Sequence, residues 1–253
     1  MKVKIISCLK DNYSYAVIDE KNKKTCVIDP SESKPIINFL EKNNLKLNYI
    51  LNTHHHFDHV GGNSQLKKKY SAKVVGFEED YNRIPEIDIK LKDGEIWKKD
   101  NFEAKIIHIP GHTLGHICFY FYNDNNLFTG DTLFSLGCGR IFEGTYQQMF
   151  ASLEKIKKLP PKTKIYCGHE YTLQNSKFCI QYDKENKNLI EKIKEINEKL
   201  KNNKPTLPST LEDELKNNIF LRSDKKNIKT NLNIENSSAL TAFSKLRDLK
   251  DNF

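Results

Sequence analysis

The segment His54–His59 constrains this chain most, because it places four histidines and one aspartate in six residues. The apolar run Leu47–Leu51 before it predicts a strand, and Gly61-Gly62 after it leads into a predicted helix that ends at Tyr70. A polar loop with surface histidines is the alternative interpretation. The position of His54–His59 between a predicted strand and a predicted helix favours a metal site.

The spacing within this segment predicts two neighbouring metal ions. Side chains two residues apart on extended backbone point the same way, so His54 and His56 can bind one ion. Asp58 and His59 follow the bend, where they can bind a second ion, and His55 is expected to be a bystander. Imidazole and carboxylate ligands suit zinc, iron or manganese, and the lack of thiolates argues against a purely structural zinc site.

The eight histidines of the chain all fall in three stretches, at 54–59, 108–116 and 169. Pro110-Gly111 predicts a turn that can present His112 as the third ligand of the first ion. His108 and His116 lie at strand ends, and we expect both to be hydrogen-bonded in the fold instead of binding metal.

Three further residues complete the predicted centre. Asp131 follows a predicted strand and is expected to bridge the two ions, because a carboxylate has two oxygens. His169, after the last buried strand, is expected to be the remaining ligand of the second ion. Asp29 either orients a ligand or is a plain turn carboxylate. Asp58 and Asp131 are the predicted catalytic residues, with Asp58 also orienting the attacking water.

Charge and composition narrow the possible partners. The formal net charge is +8, yet only four of the 41 basic residues are arginine, the residue that reads bases and phosphates best. We therefore expect solvated lysine faces and a basic rim for a small anionic substrate, with no nucleic acid. No apolar run reaches the roughly 20 residues that span a bilayer. A polar N-terminus and six scattered cysteines predict a cytoplasmic protein with reduced thiols and no membrane contact.

Strands and helices alternate up to about residue 171, which predicts an α+β sandwich with helices outside two sheets. Within it, Asp93-Gly94 predicts one hairpin turn and residues 123–126 a second. The later residues are helical and rich in Lys, Glu and Asn. We therefore predict a main domain at 1–172, which contains the metal site, and a small helical domain at 173–253.

The pattern His-x-His-x-Asp-His resembles the signature of the metallo-β-lactamase superfamily, and the resemblance covers residues 1–171. It implies a four-layer αβ/βα sandwich with a binuclear metal centre. That superfamily includes thioesterases, lactonases, nucleases and sulfur dioxygenases, so the resemblance leaves the substrate open.

A finer resemblance, to the glyoxalase II or hydroxyacylglutathione hydrolase family, extends to the last residue. It is carried by the segments 131–134, 137–140, 143–145, 167–172, 208–210, 220–222 and 247–253. It implies that Arg247 and Lys250 bind the glutathione carboxylate, with further contacts from Arg140 and Tyr171. Without this resemblance, Arg247 and Lys250 would be interpreted as part of a solvated helical face. Phe142 departs from the family, some of whose members have a tyrosine there that contacts glutathione.

The resemblance implies hydrolysis of S-D-lactoylglutathione to glutathione and D-lactate by a metal-bridging hydroxide, the second step of the glyoxalase route of methylglyoxal detoxification. The implied cofactors are two divalent ions, zinc before iron or manganese, and we expect a monomer with a small-molecule substrate. The alternatives are a one-iron glutathione persulfide dioxygenase, a superfamily nuclease and a metal-dependent scaffold.

Overall fold

The computed structural model describes all 253 residues, Met1–Phe253. Contacts divide the chain into two compact units. Unit 1 consists of Met1–His108 and Gly115–Gly130, and unit 2 of Ile109–Leu114 and Asp131–Phe253. The predicted domain boundary at residue 172 stays a prediction.

Unit 1 contains ten strands and three helices. Its strands are β1 (Lys2–Cys8), β2 (Asn12–Asp19), β3 (Lys24–Ile28), β4 (Lys46–Leu51), β5 (Lys73–Phe77), β6 (Ile87–Leu91), β7 (Ile96–Lys99), β8 (Phe102–His108), β9 (Ile117–Phe121) and β10 (Asn126–Gly130). Its helices are α1 (Ser33–Lys42), α2 (Phe57–Val60) and α3 (Asn63–Tyr70), with two 3₁₀ turns at Glu78–Asp80 and Tyr122–Asp124.

The first six strands form one sheet in sequence order. Strands β1, β2 and β3 are antiparallel, whereas β3, β4, β5 and β6 are parallel, because α1 and α3 return the chain across the sheet. Ile36 and Leu40 of α1 and Leu66 of α3 pack against Val27 and Ile50 of the sheet in one hydrophobic core. This core fixes the end of β4, where the histidine segment begins.

Strands β7, β8, β9 and β10 form an antiparallel series in unit 1. The predicted hairpin around residues 123–126 joins β9 to β10 and is confirmed. The predicted hairpin at Asp93-Gly94 is wrong, because β6 pairs with β5 in the first sheet and β7 pairs with β8 in the second. The turn is present, but the chain passes from one sheet to the other there, and a turn dipeptide does not specify which strands it joins.

Unit 2 contains six helices and four short strands. They are β11 (Leu133–Phe134), β12 (Gly137–Cys138), α4 (Tyr146–Lys157), β13 (Lys164–Cys167), α5 (Thr172–Tyr182), α6 (Lys187–Lys201), β14 (Ser209–Thr210), α7 (Leu211–Asn217), α8 (Lys226–Asn231) and α9 (Ala239–Asp251). β11 and β12 form a small hairpin, and β13 pairs antiparallel with β14. No helix in the chain is both long and apolar enough to span a membrane.

Candidate metal centre

The first two predicted ligands lie just past the end of β4. His54 is fully buried, and its Nε2 lies 3.2 Å from Nδ1 of His56. The helix α2 begins immediately afterwards, with His56 as its N-cap residue. The extended backbone before this helix therefore directs the two ring nitrogens toward one point, as the sequence spacing predicts.

A buried carboxylate, Asp29, orients the rings of His54 and His59. Its oxygens accept hydrogen bonds from the backbone N–H of Thr53 at 2.7 Å and the hydroxyl of Thr53 at 2.6 Å. Because that hydroxyl donates to Asp29, its oxygen accepts from Nδ1 of His54 at 3.0 Å. Asp29 also lies 3.1 Å from Nδ1 of His59. Both rings are thereby held with the Nε2 lone pair available to a cation.

The second predicted pair is also brought together. Oδ2 of Asp58 lies 3.7 Å from Nε2 of His59. Asn12, at the start of β2, donates to both the backbone carbonyl of Asp58 at 3.1 Å and its carboxylate at 3.0 Å. Asp58 is partly exposed whereas His59 is buried, so this pair connects the interior to solvent.

The three histidines predicted not to bind metal have other contacts. His55 lies 3.2 Å from Asp80, a buried carboxylate that also pairs with Arg83. Burial acts to raise the pKa of Asp80, but hydrogen bonds from His55 and Arg83 outweigh it and lower this pKa below its ordinary value. The ring of His116 stacks on His54 at 4.5 Å, and that of His108 stacks on Phe77 at 4.6 Å.

Unit 2 contains the other three predicted ligands. Oδ2 of Asp131 lies 3.6 Å from Nε2 of His112 and 3.3 Å from Nε2 of His169. One carboxylate oxygen of Asp131 is thus close to a nitrogen of both imidazoles. Nδ1 of His112 contacts the carbonyl oxygen of Arg140 at 2.8 Å, which leaves its Nε2 for a cation. The ring of Tyr171 stacks on His169 at 4.7 Å.

The turn that presents His112 depends on Gly111. Its φ is +153°, and a Cβ there would lie 2.8 Å from both Cα and Cβ of Met149 in α4. Only glycine allows this close approach. The predicted Pro110-Gly111 turn is therefore present, held against a helix.

The donor groups fit divalent metal ions. The five imidazoles and two carboxylates offer nitrogen and oxygen donors, Nδ1 of His54, His59 and His112 lies beside an oxygen atom, and most of the side chains are buried. Such donors suit zinc, iron or manganese.

A cavity of about 470 Å³ in unit 2 contains all four residues predicted to bind substrate, Arg140, Tyr171, Arg247 and Lys250. Two predicted ligands, His112 and Asp131, and four aromatic or apolar side chains also line it: Phe134, Cys138, Phe142 and Phe253. Cavities of this size hold small organic molecules. The predicted metal-binding and substrate-binding groups of unit 2 therefore share one cavity.

The charge in this cavity is positive. Arg247 is 3% exposed, and its Nε has no hydrogen-bond partner, although its other nitrogens contact Cys138 and Asp251. Asp251 also pairs with Arg140 at 3.2 Å. Burial, and then the charge of Arg247, lower the pKa of Lys250 to about 8. The three cations outnumber the two carboxylates of Asp131 and Asp251, so the cavity favours an anionic ligand.

The sequence analysis did not predict the partners that hold these side chains in place. Asn12 contacts Asp58 across 46 residues and Asp80 contacts His55 across 25, and no local pattern signals such pairs. Asn218 and Glu214 of the helical tail, described below, were also missed. Their only signal is burial of polar residues in an amphipathic helix.

Comparison with known proteins identifies the family. The profile of the metallo-beta-lactamase superfamily matches residues 10–169, and that of the hydroxyacylglutathione hydrolase C-terminus matches residues 170–253. A hydroxyacylglutathione hydrolase of Pelagibacter ubique (strain HTCC1062) is 64% identical over 253 residues, covering 100% of both chains. One of Rhodopseudomonas palustris (strain BisB5) is 42% identical over 250 residues, covering 99% of this chain and 98% of the relative.

A solved structure agrees at the level of the fold. The crystal structure of ETHE1 from Myxococcus xanthus has a TM-score of 0.68 and 20% identity, and the match covers 100% of this chain and 91% of that one. The predicted fold class, the metallo-β-lactamase fold with a C-terminal helical segment, is confirmed. The chain belongs to the hydroxyacylglutathione hydrolase family of the metallo-β-lactamase superfamily.

Proposed function

We propose that this protein hydrolyses the thioester S-D-lactoylglutathione to glutathione and D-lactate. The observation that carries the proposal is the cavity of unit 2, where His112 and Asp131 line the same space as Arg140, Arg247 and Lys250. Family membership, with 64% identity to a hydroxyacylglutathione hydrolase over the whole chain, supports the same reaction. We assign the protein to the second step of methylglyoxal detoxification.

We propose two metal ions, with zinc as the metal. His54, His56 and His112 would hold the first, Asp58, His59 and His169 would hold the second, and Asp131 would contribute to both. The position of Asp131 close to both His112 and His169 supports this shared role, and the pairing of His54 with His56 supports the first site. Bound divalent ions act as Lewis acids and lower the pKa of water toward neutrality.

The protein's own groups prepare the reaction. Asp29 and the carbonyl of Arg140 hold three imidazoles in the tautomer that can donate a lone pair. Asn12 fixes the carboxylate of Asp58, which we propose orients the attacking water. Thiolate is a good leaving group, so the residues need supply no strong acid when the thioester breaks.

We propose that the glutathione part binds through charge. Arg247 and Lys250 would bind a carboxylate of glutathione, because the unpartnered Nε of Arg247 can form a charge-assisted hydrogen bond. Arg140 and Tyr171 would contact the peptide. Phe142 is 62% exposed at the edge of the cavity, and its ring centroid lies 5.2 Å from that of His112. It would therefore offer an apolar contact where a tyrosine hydroxyl could donate a hydrogen bond.

The division into a catalytic domain at 1–172 and a glutathione-binding domain at 173–253 is part of this proposal. So are a cytoplasmic location, a monomeric state and a small molecule, with no nucleic acid or membrane, as the only partner.

The proposal is tested by following thioester loss with zinc-loaded protein and the variants His56→Ala and Asp131→Ala. Each removes a proposed ligand, so turnover should fall to background while the circular dichroism spectrum stays unchanged. His108→Ala is the matched control, because that ring stacks on Phe77 and is not a proposed ligand, and it should keep wild-type turnover. Full activity of either ligand variant, or no activity of the wild type, would overturn the proposal.

A further inference from the structure

The hairpin of β11 and β12 is held by the helical tail. All five consecutive carbonyl oxygens of residues 134–138 accept a hydrogen bond from a side chain beyond residue 172. The donors are Asn218 Nδ2 to Phe134 at 3.3 Å and to Gly137 at 3.0 Å, Asn175 Nδ2 to Ser135 at 3.0 Å, Cys179 Sγ to Leu136 at 3.1 Å, and Arg247 Nη1 to Cys138 at 2.7 Å.

The hairpin also donates one hydrogen bond to the tail. The N–H of Leu136 donates to Oε2 of Glu214 at 2.8 Å, and Nδ2 of Asn218 donates to the same oxygen at 3.0 Å. We call the five tail residues the hairpin clamp: Asn175, Cys179, Glu214, Asn218 and Arg247. All of them are buried, and Glu214 and Asn218 are completely so.

The clamp imposes a conformation that the hairpin would not adopt alone. Its two strands are only two residues long, too short to be stable by themselves. Leu136 has a φ of +58°, a left-handed conformation that is costly for a side chain such as leucine. Glu214 binds its N–H and Cys179 its carbonyl, and a buried polar group without its partner is penalised. The clamp therefore fixes one geometry.

The segment that contains the hairpin, residues 131–140, positions two predicted metal ligands. It starts at Asp131, and its far end supplies the Arg140 carbonyl that orients the ring of His112. The two ends meet, because the N–H of Gly139 donates to the carbonyl of Thr132 at 3.1 Å. A Cβ on Gly139 would lie 1.8 Å from the carbonyl oxygen of Asp131. A shift of the hairpin would therefore displace both ligands.

We propose that Glu214 and Asn218 are positioning residues for thioester hydrolysis, which act through the hairpin to fix the carboxylate of Asp131 and the ring of His112. This inference rests on the proposed function. It gives the helical tail a second role besides substrate binding, namely to position two of the three candidate metal ligands of unit 2.

The test compares Asn218→Ala with Asn217→Ala in the full chain. Asn217 is the preceding residue, it is also buried at 2% exposure, and its side-chain oxygen has no hydrogen-bond partner. Zinc affinity is measured by competition with a chromogenic chelator, alongside kcat and Tm. We expect Asn218→Ala to lose roughly tenfold or more in zinc affinity and in kcat. Asn217→Ala should leave both values unchanged, and the Tm of each variant shows how far a loss of stability accounts for its effect.

Equal zinc affinity and kcat in the two variants would overturn the inference. If Asn218→Ala does not fold, Cys179→Ala removes a single hydrogen bond of the clamp, with Cys26→Ala as the control at another fully buried thiol. A zinc affinity of Cys179→Ala equal to that of Cys26→Ala would again contradict it.

Glu214→Gln separates geometry from charge, since the amide oxygen can still accept from Leu136. It should keep wild-type zinc affinity, whereas Glu214→Ala should lose it, and equal values for the two would count against positioning. Zinc affinity is measured without substrate. A wild type that binds zinc yet leaves S-D-lactoylglutathione intact would therefore refute the proposed function, whereas the comparison of zinc affinities still tests whether the clamp places Asp131 and His112.

Discussion

At the scale of single residues, Asp29 connects the sheet to the metal ligands. It follows β3 with a left-handed φ of +46°, and its two oxygens serve Thr53 and His59 at once. Since an anionic acceptor beside Nδ1 keeps the proton on that nitrogen, Asp29 decides which nitrogen of His59 can bind a metal. The structure thus favours the orienting role over a plain turn carboxylate.

Asp29→Asn should lower zinc affinity and kcat by about 10- to 100-fold. Asparagine tolerates the left-handed backbone, but its NH2 group would face Thr53 or His59 and disturb the tautomer. The matched control is Asp19→Asn, a buried carboxylate of β2 that contacts Asn22 and Asn101. Zinc competition should separate the two variants, and an undiminished affinity in Asp29→Asn would refute the role assigned to Asp29.

The lowered pKa of Lys250 predicts that kcat/KM decreases at high pH. Its pKa is lowered to about 8, first by burial and then by Arg247, so its ammonium is charged below that pH and neutral above it. Attraction to a glutathione carboxylate is therefore present at low pH and lost as the pH rises through about 8. The plot of kcat/KM against pH, which reports groups of the free enzyme, should fall there.

Arginine keeps its charge through this range, so Lys250→Arg should remove that decrease. The same decrease in the arginine variant would assign the titration to another group.

Proximity of side chains is predicted best where the candidate ligands are neighbours in sequence. The pairs His54–His56 and Asp58–His59 were expected to lie together because strand and bend geometry follow from local spacing, and their side chains do lie close. The partner of Asp58, Asn12, could not be predicted, because this contact depends on how the start of β2 lies relative to α2, and hydrophobic pattern does not specify polar partners.

At the scale of elements, α4 supports the turn that carries His112. The helix begins with a capping box, in which the Thr145 side chain accepts from the backbone of Gln148 and the Gln148 side chain accepts from the backbone of Thr145. Met149, in its first turn, lies against Gly111. Helix start and metal-binding turn are therefore packed together.

Thr145→Ala should lower the free energy of unfolding by about 1 kcal/mol, because it leaves an N-terminal N–H of α4 without its acceptor. Turnover and zinc affinity at 25 °C should stay at wild-type values, since the Met149 contact is kept. Denaturant unfolding and chelator competition measure the two quantities. A stable variant with weakened zinc binding would contradict this separation of roles.

Elements were predicted well where period and turn signals agree, as for β4, α3 and the β9–β10 hairpin. The Asp93-Gly94 hairpin failed because pairing is decided by the two sheets and not by the turn. The β11–β12 hairpin escaped prediction altogether. Its conformation is imposed by side chains from up to 109 residues away, as in the contact of Arg247 with Cys138.

At the scale of the whole molecule, the superfamily signature and the helical tail carry different information. The signature specifies metal ligands that many hydrolases share. The tail contributes Arg247 and Lys250 to a cavity that Asp131 also lines, and their charge favours an anionic ligand. The net charge of +8 is compatible with the same substrate, because a positive field attracts small anions.

The most direct test of this account is reconstitution of the metal-free protein. Zinc is added in steps while metal content and loss of the S-D-lactoylglutathione thioester are measured together. The account predicts that hydrolysis rises until about two ions are bound per chain and then stays constant. Full reactivity with a single bound iron, oxygen consumption on glutathione persulfide and no thioester loss would contradict it.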